Sequence, residues 1–280
     1  MASALLHQLA KPVRKLEKAA KKRELTWRYG LNLVPTLRFR LHQPVLVAES
    51  ARVVDALNRH GVAITSAGAL LGPTSCFDEL SADVERLQKS LQDRIAAARS
   101  LGDAREVEIG KKTYVFEYLD RNPAVDPQSI YTRFALHRNI WQSANAYVGM
   151  LTSMRYCNVW HSFPSQAQPR QAQLWHRDPD DLYIVKVFVY LSDVDQGAGP
   201  FTYAPGTHRK GQVRQEPDYQ LEGDTKRSTD AQMAAVVPCD HWVTCTGPRG
   251  TIVFADTTGY HKGGLSRERD RVLYACGFTS

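Results

Sequence analysis

The sequence predicts an α+β protein with a mainly β core, and three observations support this fold class. Residues 49–150 carry apolar residues at helical spacing, whereas residues 153–280 contain short runs of β-forming residues separated by Gly, Pro, Asn and Asp. The 280-residue chain is 43% hydrophobic and 23% charged, which suits a globular protein with a full core. About seven strands without intervening helices indicate a sandwich, a barrel or a jelly roll.

The helical half supports the β core and contains three predicted helical regions and one strand. "ESARVVDALNRHG" has the apolar spacing of a helix that ends at Gly61, and "VAITS" then forms a short strand. "DELSADVERLQKSLQDRIAAARSLG" predicts an amphipathic helix that runs to Gly102. "DPQSIYTRFALHRNIWQSANAYVGM" predicts one or two further helices that start after Pro127.

The strands of the β half are separated by turn signals such as "DQGAGP", "TGPRG" and "HKGG". A long polar segment over residues 210–240 interrupts them, and we expect it to cover one mouth of the structure. The predicted strands are "SMRYCNVWHSF", "QLWHRD", "LYIVKVFVYLSDV", "GPFTYAPGTH", "HWVTCTG", "GTIVFADTT" and "RVLYACGFTS".

We predict a basic N-terminal extension over residues 1–45 and a single domain over residues 46–280. Residues 1–40 hold ten Lys or Arg and two Glu, a net charge of +8, so the other 240 residues sum to −1. The extension could contact nucleic acid or an anionic membrane surface, but a solvated basic helix is the simpler interpretation. We therefore expect no nucleic-acid partner and assign the extension no function.

Hydropathy and cysteine usage point to a cytoplasmic protein. No apolar run approaches the roughly 20 residues of a membrane-spanning helix, and "MASALLHQLAKPVRK" lacks the apolar core of a secretory signal. A basic organellar transit peptide is the alternative. The five cysteines are widely spaced and form no CxxC pair, which argues against a disulfide framework and a zinc-thiolate site. We expect them to be small buried side chains in a reducing compartment.

A metal site is predicted in "LWHRDPDDLYIVKVFVYLSDV", residues 174–194, where a polar loop meets an apolar strand. If "QLWHRD" is a strand, His176 and Asp178 point to one face, and an imidazole beside a carboxylate suits a divalent metal. A third ligand must come from elsewhere in the β half. His261, in the glycine-rich turn "FADTTGYHKGG", is best placed. The other candidates are His208, then His161 and His241.

An anion site is predicted at Arg271, which opens the strand "RVLYACGFTS" ten residues after His261. Strand alternation puts Arg271 on a face with small residues and puts Val272 on a second, apolar packing face. A buried guanidinium requires an anionic partner, and its planar fork matches a carboxylate. A salt bridge within the protein, for example to Asp256, is the alternative.

The order of these residues resembles the phytanoyl-CoA dioxygenase family of Fe(II)- and 2-oxoglutarate-dependent oxygenases. The resemblance rests on HxD at 176–178, on "YLSDVDQGAGPFTYAPGTHRKG", and on "GTIVFADTTGYHKGG" followed by the arginine. It spans about residues 155–280, and "VVDALNRHGVAITS" resembles the opening helix and strand of the family. Together these features are far more specific than an isolated HxD.

The resemblance implies a double-stranded β-helix, a cupin-like jelly roll of two packed sheets with helices bracing one of them. It implies Fe(II) bound by His176, Asp178 and His261, with 2-oxoglutarate as co-substrate, its far carboxylate on Arg271, and O2. Such an enzyme hydroxylates or otherwise oxidises a small organic substrate and releases succinate and CO2. Halogenating relatives lack the carboxylate ligand, so Asp178 favours hydroxylation.

Two cofactor-binding assignments remain open at this stage. Relatives commonly space the last histidine and the arginine by eleven residues, so Arg267 and Arg269 are alternatives to Arg271, although "SRERD" suggests an exposed loop. Lys186 shares a strand face with Phe188. We predict that it binds 2-oxoglutarate or an acidic substrate, or that it pairs with Asp178 or Asp193.

Asn158 is the third predicted cofactor-binding residue. It shares a face of the strand "RYCNVW" with Tyr156, and the two side chains either hydrogen-bond the oxoacid or only pack.

The leading prediction is an iron- and 2-oxoglutarate-dependent dioxygenase of unidentified substrate, and the main alternative is a jelly-roll binding protein without turnover. A complete ligand triad with a suitable arginine favours the enzyme. A zinc hydrolase is weakly supported, because no HExxH-like helix or obvious general base accompanies the ligands.

Overall fold

Antiparallel strands form the centre of this computed structural model, which describes residues 23–73, 76–101, 115–119 and 126–280. Numbered in chain order, the strands are β1 (Val62–Ser66), β2 (Val115–Glu117), β3 (Ser153–Ser162), β4 (Val185–Tyr190), β5 (Phe201–Tyr203), β6 (Gln220–Glu222), β7 (Thr225–Arg227), β8 (Val243–Cys245), β9 (Thr251–Asp256), β10 (His261–Lys262) and β11 (Arg271–Thr279). A six-stranded sheet has the order β1-β9-β4-β11-β3-β2, a three-stranded sheet has the order β10-β5-β8, and β6 pairs with β7 in a hairpin.

The α-helices of the described residues lie mainly before the sheets in the chain. A π-helical segment, Thr26–Leu31, comes first. The helices are α1 (Leu33–Leu41), α2 (Ala48–His60), α3 (Ala67–Leu71), α4 (Cys76–Ser90), α5 (Gln92–Leu101), α6 (Ile130–Ala135), α7 (Arg138–Val148) and α8 (Asp230–Ala234). Helix α2 ends as predicted, because Gly61 adopts φ +80°, a left-handed conformation that glycine accepts without steric cost.

Alternation along β11 divides the apolar core into two parts. Val272, Tyr274 and Phe278 pack on the helical side with residues such as Leu57 and Phe134. On the other face, Leu273 and Ala275 pack between the two sheets against Phe188, Tyr190, Phe201 and Tyr203. Each large apolar side chain buried in this way contributes about 1.5–3 kcal/mol. As strand alternation predicted, the face of Val272 packs on the helical side, whereas Arg271 and Leu273 line a cavity on the other face.

The structure agrees with the coarse fold prediction, since helices accompany antiparallel sheets, but two predicted elements are wrong. The helix expected over residues 78–102 is two helices that meet at Leu91, where neither Gly nor Pro signals a break. The strand expected for "QLWHRD" is a 3₁₀ turn, Gln171–Gln173, followed by isolated bridges from Trp175 to Ser228 and from His176 to His261. Gln171, the first residue of this turn, has φ +52°, in the left-handed region.

Part of the predicted N-terminal extension packs on the rest of the protein. Trp27 is fully buried, its ring lies 5.5 Å from that of Tyr183, and its Nε1 donates to Asp181 Oδ1 at 2.7 Å. Residues 1–22 lie outside the described residues, so the boundary at residue 45 remains a prediction. Within the described ranges, no helix combines the length and hydropathy needed to cross a bilayer.

Candidate metal centre

His176, Asp178 and His261 meet in the structure, with one ligand atom from each lying within 4.8 Å of the others. His176 and His261 exchange backbone hydrogen bonds of 3.0 Å, and their rings are 4.2 Å apart. Asp178 N donates to Thr257 O at 2.9 Å, which ties the carboxylate segment to the residue after β9. The side chains therefore converge although His176 and Asp178 are not on a regular strand.

The histidine tautomers suit metal binding. His176 Nδ1 lies 2.8 Å from Leu174 O, and His261 Nδ1 lies 3.0 Å from Gly259 O. Because a carbonyl oxygen only accepts, each Nδ1 must carry the proton, and each Nε2 lone pair is left to face Asp178 at 3.8 Å. Burial lowers the pKa of His261 to about 4 and lowers the pKa of His176 well below its usual range, so both rings are neutral at pH 7.

Lys186 forms an ion pair with Asp178, with Nζ and Oδ2 2.6 Å apart. Burial alone would raise the pKa of Asp178, but the Lys186 ammonium and the two histidines hold it well below its usual range. Burial likewise opposes charge on Lys186, whereas Asp178 raises the pKa of this ammonium. The predicted Lys186–Asp178 pairing is thus present. Asp193 instead accepts from the backbone of Arg249 at 2.8 Å.

Arg271 lies in the same cavity of about 470 Å³ as the three candidate ligands and Lys186. Its side chain is buried, and Nη2 donates to Ser162 Oγ at 3.3 Å across the β11–β3 pair. Apolar side chains line the same space, among them Phe188, Phe201 and Leu273. Asp256, the alternative partner for Arg271, accepts hydrogen bonds from Tyr147 and Thr258. The structure therefore places a guanidinium, a carboxylate and two imidazoles around one cavity.

The alternative arginines lie elsewhere. Arg267 donates to the carbonyl oxygens of Ser165 and Ala167 at 2.9 and 3.0 Å. Arg269 is 65% exposed in its side chain and pairs with Asp195 at 2.5 Å. Neither lines the cavity that holds Arg271.

The other candidate histidines do not join the cluster. His208 is buried with Nε2 3.2 Å from Asn58 O, and His161 contacts Tyr118 and Asp270. His241 is exposed in a 3₁₀ turn, Cys239–His241.

Asn158 is buried, but its amide bonds the backbone of Leu119, which donates to Oδ1 at 3.1 Å and accepts from Nδ2 at 3.3 Å. The residue lines a separate cavity of about 310 Å³ that also reaches Lys186. Tyr156 lies against Gly277, where a Cβ atom would overlap its ring. The structure thus brings Lys186 and Arg271 to the candidate metal ligands but directs the Asn158 amide away from them.

The β6–β7 hairpin supplies site residues that sequence reasoning missed. Glu222, Asp224, Thr225 and Arg227 line the candidate metal cavity, and Arg227 Nε lies 3.2 Å from Glu222 Oε2. The polar composition of residues 210–240 indicated a cover, but no local pattern specified which side chains point inward.

A second cavity, of about 990 Å³, meets the first at Asp178 and Pro179. Lys210 lies there with Nζ 4.0 Å from the ring centre of Tyr147, and burial lowers its pKa to about 8. The lining also contains Arg177, Arg209, Arg214 and Lys226.

A sequence model described as phytanoyl-CoA dioxygenase (PhyH) matches residues 57–268, which is more than half of the chain. The chain belongs to this family. Membership in the phytanoyl-CoA dioxygenase family confirms the predicted Fe(II)- and 2-oxoglutarate-dependent oxygenase and its cofactors, Fe(II), 2-oxoglutarate and O2. A comparison with curated proteins finds no significant sequence match.

Solved structures share the fold of this phytanoyl-CoA dioxygenase family member. The epimerase SnoN, in complex with Fe3+, alpha ketoglutarate and nogalamycin RO, is 19% identical with a TM-score of 0.51, covering 83% of this chain and 84% of that one. The carbocyclase SnoK from nogalamycin biosynthesis is 15% identical with a TM-score of 0.51, covering 83% of each chain. EctD from S. alaskensis with bound Fe is 16% identical with a TM-score of 0.52, covering 85% and 80%.

Proposed function

We propose that this chain hydroxylates, or otherwise oxidises, a small organic substrate and converts 2-oxoglutarate and O2 into succinate and CO2. The observation that carries the proposal is the convergence of His176, Asp178 and His261 in a cavity that also contains the buried Arg271. Two histidines and one carboxylate, with other positions left open, are the usual ligands of non-haem Fe(II) oxygenases.

In this proposal His176 Nε2, His261 Nε2 and an oxygen of Asp178 hold the iron. When bound, the iron supplies oxygen activation coupled to the decarboxylation of 2-oxoglutarate. Lys186 holds the second oxygen of Asp178 and so orients the carboxylate. The carbonyl oxygens behind each Nδ1 fix the imidazole rings in the same way.

Arg271 is the proposed partner for the far carboxylate of 2-oxoglutarate. The guanidinium is buried, Ser162 adds a hydroxyl beside it, and the neighbouring Phe188 and Leu273 exclude water from the ion pair. Asn158 stays in the proposal only as a lining residue of the 310 Å³ cavity that also reaches Lys186, because its amide bonds the Leu119 backbone.

We place the substrate between Asp178 and the β6–β7 hairpin. Charged hairpin residues such as Glu222 and Arg227 line the cavity together with apolar residues such as Phe188 and Phe201. The substrate, rather than a macromolecule, is the expected partner. A double-stranded β-helix, in which the six-stranded and three-stranded sheets are its two faces, is the finer fold that we propose. A reducing, cytoplasmic location fits the five free cysteines.

Anaerobic titration with Fe(II) and 2-oxoglutarate tests the proposal, because oxoacid chelation to such iron gives a weak visible absorption band. We expect the band in the wild type, its loss in His176→Ala, Asp178→Ala and His261→Ala, and a much higher 2-oxoglutarate requirement in Arg271→Ala. Arg269→Ala is the matched control and should behave as the wild type, since its side chain is exposed.

The alternative, a binding protein that keeps the fold without turnover, predicts a different result. Folded protein that shows no band, and no O2-dependent release of succinate with any substrate, would support this alternative. A band that weakens in Arg269→Ala but not in Arg271→Ala would contradict the proposed 2-oxoglutarate position.

A further inference from the structure

Exposed apolar side chains concentrate at the start of the described chain. Of the thirteen large apolar side chains that are exposed among the described residues, nine lie between residues 25 and 47. We call these nine side chains the N-terminal surface. Exposed apolar residues scattered singly are ordinary, but a concentration of this kind marks an interaction site.

Helix α1 carries four of the nine exposed side chains of this surface. Leu33, Leu37 and Leu41 follow one another at intervals of four, and Val34 lies beside them, so the four form one stripe along the helix. All four are exposed, with Leu41 at 77% and Val34 at 58%. The helix instead buries Thr36 and Phe39, which lie on the opposite side. Its most apolar face therefore points away from the core.

Two arginines flank the apolar stripe. Successive residues are rotated by about 100° around the helix axis. In this projection Arg38 lies next to Val34 at one edge of the stripe, and Arg40 lies next to Leu33 at the other edge. Both arginines are exposed, and Arg40 lies over the ring of Tyr29 at 5.4 Å. An apolar stripe bordered by basic residues can rest at a membrane interface, with its apolar side chains toward the acyl chains and its cations at the headgroups.

The segment that carries the surface is fixed to the protein. Arg28 Nη1 donates to the carbonyl oxygens of Val148 and Gly149 at 3.1 Å, and Leu151 N donates to Pro35 O at 3.2 Å. Together with buried Trp27, these contacts hold α1 with its leucines outward. The apolar face is thus presented by a docked helix.

We propose that the N-terminal surface binds an anionic lipid bilayer, with α1 in the plane of the interface, its leucines at the acyl boundary and Arg38 and Arg40 at the lipid phosphates. The charge of the segment selects this occupant, because residues 1–40 carry +8 whereas the rest of the chain carries −1. Basic residues beside an anionic leaflet are attracted by its negative surface potential.

Charge also argues against the other occupants. A second copy docked through the same surface would bring two segments of +8 together. Residues 1–22 hold six Lys or Arg and one Glu, so this segment would meet Arg38 and Arg40 with like charge. An anionic bilayer satisfies the apolar stripe and the cations at once.

The proposed surface adjoins the second cavity. Glu24 lines that cavity, and the next residue, Leu25, is 74% exposed. Docking would therefore hold this cavity, which reaches Asp178, near the lipid headgroups.

Vesicle sedimentation with the full chain tests the proposal. We expect binding to vesicles of phosphatidylcholine mixed with phosphatidylglycerol, and binding at least about tenfold weaker to phosphatidylcholine alone. The double variant Leu37→Asp, Leu41→Asp and the double variant Arg38→Glu, Arg40→Glu should each reduce binding to the anionic vesicles by about tenfold or more. Leu136→Asp and Arg86→Glu are matched controls, because both side chains are exposed at other places.

Three results would overturn this inference. The first is unchanged vesicle binding by both double variants, and the second is an equal loss in the controls. The third is a wild-type dimer that the Leu37→Asp, Leu41→Asp variant abolishes, without any vesicle binding, because it would assign the surface to a second copy. The circular dichroism spectrum and the Fe(II)/2-oxoglutarate band should be unchanged in all variants. A loss of vesicle binding can therefore be distinguished from a loss of the proposed oxygenase function, on which this inference does not depend.

Discussion

Lys186 Nζ lies 2.6 Å from Asp178 Oδ2, so the carboxylate proposed as a metal ligand is already paired with a cation of the protein. Both side chains are largely buried, and removing one partner of a buried pair leaves an uncompensated charge. The pair therefore connects the stability of the metal-free fold to the order of the metal site.

Lys186→Met should lower the free energy of unfolding of the metal-free protein by about 3–5 kcal/mol, because Asp178 loses its cation in a buried site. Urea denaturation measures this loss. Divalent metal should stabilise the variant more than the wild type, because the metal replaces the missing positive charge. Lys226→Met is the control: its pair with Glu216 is exposed and screened by water, so we expect a far smaller loss of stability. Equal losses in the two variants would contradict the assignment.

The pH dependence of stability should reflect the buried His261. Its pKa is lowered from 6.5 to about 4, so the folded state resists protonation more than the unfolded chain does. This contribution is fully present above pH 6.5 and is lost as pH falls towards 4. The shift corresponds to about 3 kcal/mol at roughly 1.4 kcal/mol per unit. Denaturation of the metal-free protein across this range should show a shallower fall in His261→Gln; an unchanged fall would refute the explanation.

Arg271→Ala should raise the KM for 2-oxoglutarate by about a hundredfold with a smaller effect on kcat, since a charged hydrogen bond is worth about 1.5–3 kcal/mol. Succinate release at varied 2-oxoglutarate concentrations measures both constants. Arg271→Lys should recover only part of the loss, because an ammonium cannot form the bidentate pair. A fall in kcat alone would instead indicate a role outside co-substrate binding.

Trp27→Ala should destabilise the fold by about 3–5 kcal/mol, because the indole is fully buried. Trp27→Phe should recover most of the packing and lose only the hydrogen bond to Asp181, worth about 1 kcal/mol. Thermal unfolding measures the difference. If both variants were as stable as the wild type, residues 23–45 would be a dispensable extension, as the charge distribution first suggested.

Strand alternation predicted the site best where the strands are regular. The period of two placed Arg271 and Lys186 on inward faces, and both line the cavity of the candidate metal ligands. The glycine-rich turn around His261 favoured it over His208 as the third ligand, and the family resemblance implied the same choice. The sequence did not indicate that His176 lies on an isolated bridge and Asp178 in coil, because the bridge partner of His176, His261, lies far along the chain.

The parts that could not be predicted depend on long-range packing. No local sequence pattern around Trp27 predicts that its side chain packs in a core formed by residues far along the chain. Which side chains of the β6–β7 hairpin line the cavity depends on how the hairpin packs against the rest of the protein. The apolar stripe of a surface helix usually faces the core, but the stripe of helix α1 faces outward. The helical spacing of its apolar residues would therefore have predicted the wrong buried face.

The reciprocal backbone hydrogen bonds between His176 and His261 bear on how the enzyme is maintained. These bonds join the two histidine segments directly, so the protein's own backbone offsets part of the loop-closure entropy of the site. Loss of iron, for instance to a chelator, should therefore leave a receptive apoprotein. We expect such an enzyme to be reloaded repeatedly within its lifetime, with its activity following the supply of ferrous iron and needing no new synthesis of the chain.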